Sequence, residues 1–230
     1  MKAIEYLRYI LIIAEMAACL VTFIYLNKLK GSYWILLPFF LLAISCGELM
    51  GLYQLINHKT TANLFQFLLT PLQVLFYLFL ISRITLGAKK DVILQVSLVL
   101  YIGLFITEDL FFKGKPLLFM SLSNTLGNVL ILIMLLRYFY HLANSEGLLQ
   151  IKKNLGFWFC LGIVVYRISS TPFYALYSII SKKEYQSIFI PYKAIIMSLS
   201  VCMYLCFIIG LVLAGGVKPS VGKNTLNKQA

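Results

Sequence analysis

The sequence predicts an all-α membrane protein, a bundle of seven transmembrane helices, and three observations carry that expectation. Of 230 residues, 61% are hydrophobic and 12% charged, against about 45–50% apolar and about 25% charged in soluble domains. The apolar residues gather into seven segments, each close to the roughly 20 residues that cross a hydrocarbon layer of about 30 Å as a helix. The breaks between them are short and rich in lysine, glycine, asparagine and proline.

Span 1, Tyr6 to Leu26, follows a charged start that a secretory leader would also have. Glu5 and Glu15 fall beside or within the run and no A-x-A-like cleavage site follows, so a helix is expected. NKLKGS separates it from span 2, Trp34 to Ile56, and NHKTTAN leads to span 3, Leu64 to Leu86. GAKKD and KGKP bound span 4, Val92 to Phe112, and span 5 covers Leu117 to His141. The longest break, HLANSEGLLQIKKN, precedes span 6, Leu155 to Ile180, and SKKEYQ precedes span 7, Ser187 to Leu213. Residues 1–214 therefore read as one transmembrane domain, and 215–230, after Gly215, as a short cytoplasmic tail.

The net charge of +12 reads as membrane topology rather than nucleic-acid binding. Loops after spans 1, 3 and 5 plus the tail hold eleven Lys and Arg, and the opposite face holds seven. The positive-inside rule then places the N-terminus outside and the C-terminus in the cytoplasm. The five cysteines fall within spans, form no CxxC pair and read as small buried residues.

Two cations, Arg167 and Lys193, lie within helices, where ionisable groups are rare and face the bundle interior. Helical spacing groups each with polar neighbours. Glu15 aligns with Cys19 and Thr22, and Glu48 with Ser45 and Gly51; Gly47 and Gly51 form a G-x-x-x-G for close helix packing. Arg167 aligns with Ser170, Thr171 and Tyr174, and Lys193 with Met197, Ser200 and Tyr204. Neutral stripes run through span 3 (Gln66, Thr70, Gln73, Tyr77) and span 5 (Ser121, Asn124, Asn128). Pro71 and Pro172 are expected to kink spans 3 and 6. The expected core is a polar network in which Glu48 pairs with Arg167, with Glu15 competing. Glu108 and Asp109, at the end of span 4, are expected in solvent.

No catalytic motif is present: no G-x-S-x-G, H-E-x-x-H or P-loop. His58 and His141 fall on opposite faces, so no paired haem ligation, metal or other cofactor is expected. Lys193 lies near the end of its helix and span 3 has no aspartate, which argues against a retinal Schiff base.

The runs LPFFLLAISCGELMGLY, NLFQFLLTPLQVLFYLFL and FWFCLGIVVYRISSTPFY resemble a group of small seven-helix membrane proteins from Bacteroidota. That group has a carboxylate and glycine at the end of helix 2, a P-x-E-x-x-F-Y run in helix 3 and a Phe-Trp pair opening helix 6. Glu48, Gly51, Phe157 and Trp158 fit, whereas Gln73 stands where the pattern has glutamate. The resemblance implies a bacterial cytoplasmic membrane and no particular activity. The functional expectation is a non-enzymatic sensor or receptor-like module. It would bind a small or amphipathic ligand in the outer half of the bundle and signal through a separate membrane or signalling partner. A transporter and a membrane scaffold are the alternatives.

Overall fold

The computed structural model describes residues 2–30, 32–57, 65–87, 89–111, 121–144, 151–180 and 186–214. Among these residues there are helices and turns and no strand. Seven helices are long and apolar enough to cross a membrane. They are α1 (Lys2–Ile24), α2 (Leu36–Ile56), α3 (Thr70–Leu86), α4 (Val92–Phe111), α5 (Ser121–Ala143), α6 (Leu155–Ile180) and α7 (Gln186–Ala214). The chain is an all-α membrane protein built as a seven-helix bundle. The expected tail, 215–230, lies outside the described residues.

Surface chemistry shows which solvent the bundle meets. Ile24, Val99 and Leu136 are 76%, 72% and 70% exposed, an outward apolar face that lipid solvates and water would not. Polar residues such as Asn128, Arg167 and Ser170 are buried, because lipid cannot hydrogen-bond them.

Six helices enclose the interior. Side by side they run α2, α1, α7, α6, α5 and α3, and Phe40 of α2 closes the ring by stacking on Phe76 of α3 at 3.8 Å. Helix α4 packs outside, against α3 and α5. Accordingly only 22% of its apolar stretch is buried, against 33–44% in the other six. Tyr77 sits near the centre, edge-on to Phe40 and Phe159, and Phe159 stacks on Phe207 at 4.6 Å.

Helices α6 and α7 approach each other at glycines. A Cβ on Gly162 would lie 3.0 Å from the Met203 carbonyl oxygen, and one on Gly210 would lie 2.7 Å from Cβ of Trp158. Gly87, at φ +66°, ends α3 in the left-handed region and its N–H donates to the Arg83 carbonyl at 2.9 Å. Beyond it, Asp91 starts α4 and gathers the C-terminal face. Its Oδ1 accepts from Arg137 Nη1 at 2.7 Å and from the Ile93 N–H at 3.1 Å, and its Oδ2 accepts from the Ser82 hydroxyl at 2.6 Å.

Several expectations differ from what the fold shows. Pro71 sits where a π turn at Phe65–Leu69 runs without a break into α3, Leu69 being helical at φ −72° and ψ −44°, so the winding of span 3 changes at the proline. Pro172 does lie inside α6, and so does Pro191 inside α7. Gly47 and Gly51 are both buried, but what fills the notch at Gly47 is the Leu69 side chain rather than a neighbouring backbone. Cys46 and Cys202 face outward instead of into the core.

Candidate functional site

Helix α6 carries Arg167 into the interior, where only 3% of it is exposed. Its Nη1 donates to Asn128 Oδ1 on α5 at 2.5 Å. Its Cζ lies over the rings of Tyr77 and Tyr166, 5.3 Å and 5.4 Å from their centroids, a cation–π arrangement that partly replaces lost hydration. Pro172 lies one turn beyond it inside α6, removing the N–H that the Ile168 carbonyl would accept, and hydroxyls bond the carbonyls on either side of that one. Thr171 and Ser170 donate to the Arg167 carbonyl at 2.7 Å and 3.4 Å, and Tyr192 of α7 donates to the Ser169 carbonyl at 3.0 Å.

Donors outnumber acceptors at this centre. A guanidinium has five N–H bonds, yet Nε and Nη2 of Arg167 are buried without a partner. Asn128 is 1% exposed and its Nδ2 is likewise unpartnered; its Oδ1 is committed to Arg167, which fixes the amide's orientation. Gly127, beside Asn128, makes room for Tyr101, whose ring carbon would lie 3.0 Å from an added Cβ.

Acidic groups occupy the two sides of this centre. Glu15 of α1 is 4% exposed, with Oε2 unpartnered, and its electrostatic neighbours are Glu48 and Tyr204. Tyr77, whose ring lies against Arg167, is also within electrostatic reach of Glu15. Tyr101 is within electrostatic reach of both Arg167 and Glu108. Toward the N-terminal face, Arg8 acts on both Glu48 and Lys193, and all three are half-buried. A polar file therefore crosses the bundle: Lys193, Arg8 and Glu48; then Glu15 and Tyr204; then Tyr77; then Arg167 and Asn128; then Tyr101 and Glu108.

The structure brings most of the expected site residues into this file and changes their partners. Arg167 is held by Asn128 and not by Glu48. The cation acting on Glu48 is Arg8, which stands seven residues before Glu15 and so shares its face. Glu108 is buried, 2% exposed, rather than solvated, and its Oε2 accepts the Ser123 N–H at 3.0 Å. It thereby satisfies a free donor at the start of α5 from a different helix. Asn124 is buried one turn from Asn128, and Gln73 is only half-buried. The side chains of Tyr174 and Gln66 lie outside the described residues.

Tyr101, Arg8 and Glu108 escape sequence reasoning as site residues although helical spacing carried a signal for each: Arg8 lies seven residues before Glu15, and Ser97, Tyr101 and Glu108 share one face of span 4. Asp91 carried a usable signal, an aspartate directly before an apolar run, the usual mark of a helix start. Among the described residues no three His, Cys, Asp or Glu side chains assemble as metal ligands. Comparison with known proteins yields no match: no family model, no curated protein and no solved structure matches the chain.

Proposed function

We propose that this chain is a receptor-like binding module of a bacterial cytoplasmic membrane, non-enzymatic, with its N-terminal face outside. A small or amphipathic ligand seats in the bundle interior, and the resulting rearrangement passes to a partner protein. The observation that carries the reading is the polar file with unspent groups at its heart: Arg167 Nε and Nη2, Asn128 Nδ2 and Glu15 Oε2 are buried and unpartnered. A structural ion network saturates its members, because each unpaired buried polar group costs about 1–3 kcal/mol and a charged one more. Groups left unsaturated at the centre of a bundle are suited to a ligand that completes them. The orientation rests on the eleven-to-seven distribution of Lys and Arg between the two faces.

The test uses the full chain purified in mild nonionic detergent. Solvent extraction and mass spectrometry should find a retained small molecule, and adding it back to stripped protein should raise the unfolding temperature, since a ligand for the folded state stabilises it. Vesicles containing the chain should show no net flux of that molecule. Flux would move the reading to a transporter, and absence of any retained or stabilising molecule would leave the file structural.

A further inference from the structure

We propose that Arg167 and Asn128 form a receptor for a single carboxylate group, carried into the bundle by the ligand. The inference rests on the receptor-like reading above and adds the chemical class. Three features of the centre select that class.

The first is donor geometry. With Nη1 committed to Asn128, the unpartnered Nε–H and one Nη2–H project from the same edge of the guanidinium as a parallel pair, the fork that binds both oxygens of a carboxylate. Asn128 Nδ2 is a further donor without a partner. The second is shape. Tyr77 and Tyr166 lie against the guanidinium, so a group meeting the fork edge-on enters between aromatic neighbours. A planar carboxylate coplanar with the guanidinium fits such an approach better than a tetrahedral phosphate. The third is charge. Arg167 supplies a single positive charge to this centre. A phosphate of about −1.5 to −2 charge exceeds it, whereas a carboxylate matches it. The acids of the chain do not already fill the fork. Neither acid is hydrogen-bonded to Arg167: Glu108 Oε2 accepts the Ser123 N–H, while Glu108 Oε1 and Glu15 Oε2 are, like the fork, without a partner.

The experiment titrates the full chain in nonionic detergent with sodium decanoate, sodium acetate, decanol and decyl phosphate, reading the unfolding midpoint. Decanoate should raise it, while decanol and decyl phosphate leave it unchanged. An acetate response equal to that of decanoate supports a water-soluble acid as the source; a response to decanoate alone supports a membrane-derived one. Arg167→Met should weaken the decanoate effect by about tenfold or more, the loss expected for one charge-assisted hydrogen bond. Asn128→Asp supplies Arg167 with an internal carboxylate, so it should fold and give no response. An equal response to decanol or decyl phosphate, or an undiminished response in Arg167→Met, overturns the carboxylate assignment. If decanoate fails while another molecule retained by the chain stabilises it, the assignment falls and the receptor reading stands. If nothing stabilises the chain, both fall.

Discussion

Asp91 and Arg167 are both buried charges, and the two differ in how fully they are partnered. Asp91, at the C-terminal face, uses both oxygens: Arg137 and the Ile93 N–H on one, Ser82 on the other. Arg167, in the middle of the bundle, uses one nitrogen on Asn128 and leaves two without partners. The first ties α3, α4 and α5 together and has nothing left to offer. The second holds its helices less firmly and keeps donors unspent. Stability and binding are thus placed in different parts of one bundle, as expected where a site retains groups that a purely structural core would pair.

Substitutions can break that contrast, and the largest effect belongs at the saturated end. Asp91→Ala removes the anchor of three helices and the capping acceptor of α4. Thermal unfolding in detergent should show a loss of about 3 kcal/mol, the lower end for breaking a buried pair, because Arg137 retains access to water. Next comes Gly162→Val. Its added carbons meet the Met203 backbone, and overpacking of this kind costs about 1–3 kcal/mol in the same assay. Gly103→Ala, at a site with nothing within 4 Å of an added Cβ, is the control and should be neutral or slightly stabilising.

A smaller effect follows acid. Burial alone would raise the Asp91 carboxyl, but hydrogen bonds from Ser82 and Arg137 and the Arg137 charge outweigh it and hold the group below the ordinary carboxylate value. Its folded value is therefore lower than the unfolded value of about 3.9. The stability it contributes is fully present above that pH and is lost as pH falls through the folded value. In Asp91→Asn the acid limb of a stability profile should flatten below about pH 4 relative to the wild type. The smallest change is expected at Arg167→Met. It removes a buried charge that one hydrogen bond barely compensates, so stability should stay within about 1 kcal/mol or rise, although ligand response is lost.

Much of this was legible in the sequence, and what was not has a physical reason. The seven spans follow from length and apolarity alone, since lipid forces every backbone group to be satisfied within its own helix. Spans 4 and 6 begin where expected, at Val92 and Leu155. The inward direction of Glu15, Asn128 and Arg167 follows from their polar stripes. Who meets whom does not follow, because helical spacing gives a residue's face and depth but not the neighbour opposite it. Arg167 could be placed in the interior, but not beside Asn128 rather than Glu48. Arg8 looked like a flanking charge, and only the packing of α1 against α2 and α7 turns it toward Glu48 and Lys193. Glu108 looked like a solvated helix end, and only the placement of α4 beside α5 gives it the Ser123 N–H.

The most direct measurement is a matched set of unfolding curves for wild type, Arg167→Met and Asp91→Ala, each with and without decanoate. Asp91→Ala should lose stability and keep the decanoate shift, whereas Arg167→Met should keep stability and lose the shift. An Arg167→Met chain as destabilised as Asp91→Ala and still responsive to decanoate would contradict the division between a saturated anchor and an unsaturated binding centre.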